Sequence, residues 1–137
     1  MTETVAQKER LIEWMGAELT EKGDGKAIAT LPVERHVLHA DDNPRVAGGV
    51  IMALMDFCIH HAVHSVLAPN ELHATIEMKL NFIRPGQPGV LTAEANIVNK
   101  GSRFAIVEGT IKQEETGKLV AQTLTTETWV EIPPAAG

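Results

Sequence analysis

The sequence predicts an α+β domain in which an antiparallel sheet wraps one long central helix. Three observations predict it. The longest apolar run, residues 50–68, is long enough for a buried helix, and Gly48 and Gly49 open it while Pro69-Asn70 closes it. Four stretches with strand character follow, at residues 73–83, 90–99, 104–113 and 119–132. Between them lie turn segments: Arg84-Pro85-Gly86-Gln87-Pro88-Gly89, Lys100-Gly101-Ser102 and Glu114-Glu115-Thr116-Gly117. Short connections imply hairpins, so these four strands read as an antiparallel meander.

In chain order, a short amphipathic helix is predicted at about residues 4–15. Two strands follow at residues 17–20 and 26–34, flanking the hairpin signal Glu21-Lys22-Gly23-Asp24-Gly25. The central helix, about residues 48–68, would be roughly 28 Å long at the usual rise. Apolar residues lie on nearly every face of it, as expected of a helix enclosed by other structure. Asp56, His60, His61, His64 and Ser65 interrupt the run, which makes it a poor membrane span. No repeat or linker divides the chain, so residues 1–137 are expected to form a single domain.

Bulk chemistry narrows the partners. A formal charge of −6 opposes nucleic-acid binding, because phosphate contacts need a basic field. The single cysteine, Cys58, allows no internal disulfide and supplies no zinc motif, which fits a reducing compartment. The opening segment, MTETVAQKER, lacks the basic-then-apolar pattern of a secretion signal, so a cytoplasmic protein is expected.

The segment from Arg45 to Asp56 carries the chemistry. The first amides of a helix have no intrahelical partner and sit at its positive end, so those following Gly48 and Gly49 can hold an anion or a developing oxyanion. Glycine there lets a carbonyl approach the backbone, although such glycines also serve as plain loop and packing residues. Asp56 stands among Leu54, Met55, Phe57, Cys58 and Ile59, where a charge is costly unless it is paired or used. His60 and His64 follow at spacings of four on one helical stripe, and His60 could bond Asp56 or line its site; the simpler reading is a pair of satisfied core or interface histidines. No metal is expected at His60, His61 and His64, because His61 points away from the other two.

In their order along the chain, these residues resemble the hotdog-fold acyl-CoA thioesterases, specifically the branch related to the phenylacetate-pathway (PaaI-like) enzyme. That family shows a loop with an Asn leading to His-Gly-Gly, then an Asp in the following helix, commonly within Leu-x-Asp. Leu54-Met55-Asp56 keeps the triplet and its spacing from Gly48. Further matches are Asn81-Phe82-Ile83-Arg84-Pro85, Lys100-Gly101-Ser102-Arg103 and Gly117-Lys118-Leu119-Val120-Ala121. The resemblance covers about residues 16–130. Two positions depart from it: Ala47 stands where the family has histidine, and the usual asparagine position falls on Asp41, with Asn43 two residues on. His36 and His39, upstream of the loop, could compensate for the missing histidine.

The resemblance implies that Asp56 acts as general base or nucleophile, that the Gly48 amide polarises the thioester carbonyl and that Thr75 helps position the attacking water. Thr75 also suits a strand for its β-branching alone. Gly49, Asn43, His60 and Phe82 are the further substrate-binding candidates, with Val50, Leu54, Phe57 and Phe82 feeding an apolar acyl pocket. Lys100 and Arg103 are either ordinary turn charges or contacts for coenzyme A phosphates. No cofactor is implied, since coenzyme A enters as part of the substrate. The family's site forms between two subunits, so a homodimer or homotetramer is implied. A non-catalytic acyl-CoA binding module and an enoyl-thioester hydratase are the alternatives on this fold, and Ala47 removes the histidine that the hydratase would need.

Overall fold

Period-two burial organises the sheet. In β5 (Phe104–Gln113) every second residue from Ala105 to Gln113 is buried, and β2 (Lys26–Pro32) buries Ala27, Ala29 and Leu31 in the same way. These inward rows need apolar cover, which α2 (Gly48–His64) supplies with Ile51, Leu54, Met55, Cys58 and Ile59. The computed structural model describes residues 10–133. Along them run α1 (Arg10–Met15), β1 (Glu18–Gly23), β2, a single 3₁₀ turn (Arg35–Val37), α2, β3 (Glu71–Phe82), β4 (Val90–Lys100), β5 and β6 (Leu119–Glu131). Residues 4–9 of the predicted N-terminal helix lie outside the described residues.

Six strands form one antiparallel sheet in the order β1-β2-β4-β5-β6-β3, with α2 packed across one face. The expected four-strand meander is therefore corrected. Only β4, β5 and β6 meander, whereas β3 leaves its sequence neighbour and pairs with β6, from Glu71↔Glu131 to Phe82↔Ala121. Residues 83–89 make the crossing. Spanning three strand spacings needs about 14 Å, and seven residues reach about 23 Å when extended, so this connection never required a hairpin.

Helix α2 ends at His64, four residues short of its predicted end at residue 68. Tertiary contact decides this: the Ser65 hydroxyl donates to Ala62 O at 2.7 Å and accepts the Gly25 amide at 2.8 Å, tying the helix end to the β1–β2 turn. That turn is the two-residue Asp24-Gly25, and both residues have positive φ (53° and 79°), as a primed hairpin turn requires. Its tightness lets β1 run to Gly23, beyond the predicted residue 20. The expectation that α2 is enclosed on nearly every face is also corrected, since Gly49, Met52, Asp56 and His64 are exposed along one stripe with His60 half-buried among them. Among the described residues no helix is long and apolar enough to cross a membrane.

Gly109 sets how closely helix and sheet approach. A Cβ there would lie 2.6 Å from the sulfur of Met55 and 3.1 Å from Thr123 Cγ2. Met55 is fully buried and precedes Asp56, so the bare backbone of β5 places the helix turn that carries the carboxylate.

Candidate active site

The open stripe of α2 meets β3 in a cleft of about 570 Å³. Asp56, Phe57, His60 and His61 line one wall, and His73, Ala74 and Thr75 line the other. Leu11 and Ile12 of α1 cover part of it. Asp56 and His60 share this wall because they lie one helical turn apart. A bulge between Thr75 and Glu77 changes the strand's facing, so His73 turns inward before it and Met78 and Leu80 after it.

Behind the cleft lies a polar array. Glu127 of β6 is fully buried, directly opposite Thr75 in register, and its Oε1 accepts a hydrogen bond from the Thr75 hydroxyl at 2.8 Å. The same oxygen pairs with His73 Nε2, and among the described residues Oε2 has no hydrogen-bond partner. His73 Nδ1 meets His60 Nδ1 at 3.0 Å. The Thr75 hydroxyl also serves the Asp56 carboxylate. A single hydroxyl carries one proton, so it donates to only one of the two carboxylates at a time, and its lone pairs can accept only from a carboxyl that is protonated.

Electrostatics follow from this crowding. Although its residue is exposed along the stripe, the Asp56 carboxyl is partly desolvated on the cleft wall, which raises it above the ordinary carboxylate range; the Glu127 charge adds to the rise, and His73 and the Thr75 hydroxyl oppose it. Burial likewise brings His60 and His61 down to about 4, so both rings are neutral near pH 7. His61 packs edge-on against Phe57, and its Nδ1 and that of His64 meet Lys22 Nζ at 3.3 and 2.7 Å. Cys58 is no nucleophile: its sulfur is buried against Ala27 O, and burial pushes its thiol up to about 12.

The remaining candidates lie elsewhere in the chain. Gly48 lines a second cleft of about 360 Å³ with Phe82, His39, Arg45 and Ile51. Two helical turns, about 12 Å, separate it from Asp56, so one chain does not bring the two together. Gly49 beside it is exposed. His39 is the upstream histidine that reaches the Gly48 cleft, whereas His36 is bonded to the Trp14 carbonyl at 2.6 Å. Asn43 sits in an exposed turn in which its amide donates to Asp41 Oδ1 at 3.0 Å and Arg45 bonds both residues, away from Asp56. Of the residues expected to feed the acyl pocket, Leu54 is wholly in the core, and Phe57 and Phe82 line different clefts of one chain. The Lys100 ammonium lies 4.6 Å from the ring centre of Trp129, the cross-strand partner of His73, and the Arg103 carbonyl accepts the Thr128 hydroxyl at 2.6 Å.

Sequence reasoning missed His73 and Glu127 as site residues. A signal for Glu127 existed. It continues the alternation Ala121, Thr123, Thr125 on the inward side of the last strand, where a carboxylate is out of place without a task.

Comparison with known proteins agrees with this architecture. Residues 43–120 match the family model described as the thioesterase superfamily. Two relatives from Saccharolobus solfataricus are named as candidate esterases. One is 30% identical over 61 residues, 44% of this chain and 40% of that protein, so the match spans less than half of it. The other is 26% identical over 128 residues, 89% of this chain and 84% of that protein. A conserved protein of Pseudomonas aeruginosa superposes with a TM-score of 0.80 at 28% identity, covering 88% of this chain and 93% of that one. The E. coli PaaI protein of the phenylacetic acid degradation operon shares the fold, with a TM-score of 0.81 at 20% identity over 94% and 90% of the two chains. With the family model matching more than half of its length and the sheet wrapped on one long helix, the chain belongs to the thioesterase superfamily and carries its hotdog fold.

Proposed function

We propose that the protein hydrolyses acyl-CoA thioesters at a site built from two copies of the chain. Asp56 activates the attacking water or attacks the carbonyl itself, and the Gly48 amide of a second copy receives the developing oxyanion. The observation that carries this reading is the placement of Asp56: a carboxylate raised in pKa, beside a threonine hydroxyl, on an apolar cleft of about 570 Å³. Gly48 supplies what that cleft lacks, a helix N-terminus, and its distance from Asp56 within one chain is the reason a second copy is invoked. Strand β3 supports such an assembly. It is an edge of the sheet with Leu72 and Ile76 more than half exposed, and two copies side by side would pair its free backbone groups.

Ala47 favours a second reading, an acyl-CoA binding module without catalysis, because the family's motif histidine is missing there. One experiment separates the two. Purified protein is assayed on aryl, short and long acyl-CoA esters with a thiol reagent, beside Asp56→Asn. Hydrolysis that falls at least ~10²-fold in the variant is expected, the scale of losing a positioned base. Binding by calorimetry with no turnover on any ester would establish the binding module instead.

A further inference from the structure

Thioester cleavage expels a thiolate, and an alkyl thiolate leaves faster if a proton reaches the sulfur as the C–S bond breaks. Asp56 cannot supply that proton while it is taking one from water. His60 lines the same cleft one helical turn away, and its Nδ1 is held 3.0 Å from Nδ1 of His73. His73, with 6% of its side chain exposed, is paired through Nε2 with Glu127, whose side chain is 0% exposed. Resting on the thioesterase reading above, we propose that the buried His73–Glu127 pair acts through His60 to protonate the departing sulfur.

The hydrogen-bond geometry leads there. A carboxylate as enclosed as Glu127, with Oε2 unpartnered, is strongly disfavoured unless a counter-charge neutralises it, and an imidazolium at His73 is that counter-charge. A doubly protonated His73 donates from Nε2 to Glu127 and from Nδ1 to His60. Nδ1 of His60 is then the acceptor, and its own proton must sit on Nε2, the nitrogen not engaged with His73. The surroundings keep His60 in this neutral form: Lys22 of β1, His64 of α2 and His73 of β3 all repel a second proton, with only Glu127 opposing them. The array thus fixes one tautomer and presents one N–H donor to the cleft.

The protons balance. Water gives its hydroxide to the acyl carbon and its proton to Asp56. As the C–S bond breaks, its electron pair stays on sulfur and takes the Nε2 proton of His60. The Nδ1 proton of His73 crosses to Nδ1 of His60, which remains neutral in its other tautomer. Return of the Asp56 proton through the cleft to His60 Nε2 sends the Nδ1 proton back to His73 and restores every group. His60 is a catalytic residue in this scheme, and His73 and Glu127 position and supply it.

The test varies the leaving group. Esters of one acyl group with an alkyl thiol (N-acetylcysteamine) and with an aryl thiol (thiophenol) are compared, because an aryl thiolate departs without help. In His73→Gln the rate on the alkyl thioester should fall by about 10²-fold, and this loss should exceed that on the aryl thioester by about tenfold or more. Equal losses on both esters would mean that the pair only supports the fold, and would overturn the proposal. Unchanged rates would do so as well. If His73→Gln melts or fails to fold, His60→Gln carries the same comparison, since His60 is only partly buried on the cleft wall. Wild-type protein inert on both esters would refute the hydrolase reading itself, a result distinct from wild-type turnover without leaving-group selectivity in the variants.

Discussion

Acidification from pH 7 to pH 5 should destabilise this protein, although its overall charge argues for the reverse. At −6, the chain loses self-repulsion as protons bind, which by itself favours the compact state. His60 and His61 oppose that trend. Burial brings both from 6.5 to about 4 in the folded chain. Between those values the unfolded chain binds a proton on each ring and the folded chain does not. Stability is therefore complete above pH 6.5 and is lost as pH falls toward about 4. At about 1.4 kcal/mol per pH unit, each ring has a ceiling of about 3 kcal/mol, of which about 2 is reached by pH 5. Both rings keep some contact with solvent, which reduces this to about 1 kcal/mol each. The sum, about 2 kcal/mol, corresponds to about 5–10 °C in Tm for a domain of this size. The Asp56 carboxyl, raised in the folded chain, gains stability on acidification and works against this loss, so the double histidine variant isolates the histidine share. Thermal melts at pH 7, 6 and 5, repeated with the double variant His60→Gln/His61→Gln, measure it. A Tm that stays constant or rises on acidification, or a slope that survives in the double variant, would refute the reasoning.

Two further perturbations test packing and assembly. Gly109→Val should destabilise by about 1–3 kcal/mol, the usual scale of overpacking, because its side chain enters the space of Met55 and Thr123. It should also lower kcat through the displaced Asp56 turn; urea melts and initial rates check both, and an unchanged midpoint would show that the core yields. Gly48→Val should fold, since a Cβ there meets only the Phe82 ring at 3.6 Å, yet lose activity by crowding the amide. Refolding it together with equal Asp56→Asn chains should recover about a quarter of wild-type activity, as half the dimers are mixed and each regains one intact site. No recovery, or an active monomer by light scattering, would count against the shared site.

Much of the candidate site was legible because its logic is local. Asp56 is marked by the Leu54-Met55-Asp56 triplet and its spacing from Gly48, and His60 by one helical turn, all within a single element. The turn at Asp24-Gly25 is equally local, for its residues tolerate positive φ wherever the chain places them. His73 and Glu127 lie 54 residues apart, and Thr75 and Glu127 52. No periodicity within a strand says which strand will lie beside it.

By itself, then, the sequence determined the α+β class, the long apolar helix, the strand segments and the carboxylate on the helix, since each follows from hydrophobic period and turn chemistry over a few neighbouring residues. Tertiary structure decided the rest. It placed β3 beside β6, ended α2 at His64 through Ser65 and set Glu127 against His73 and Thr75. It also left Gly48 and Asp56 in separate clefts. The physical reason is that strand order and register are chosen by the whole set of faces that must be buried together, and a seven-residue connection can reach either neighbour.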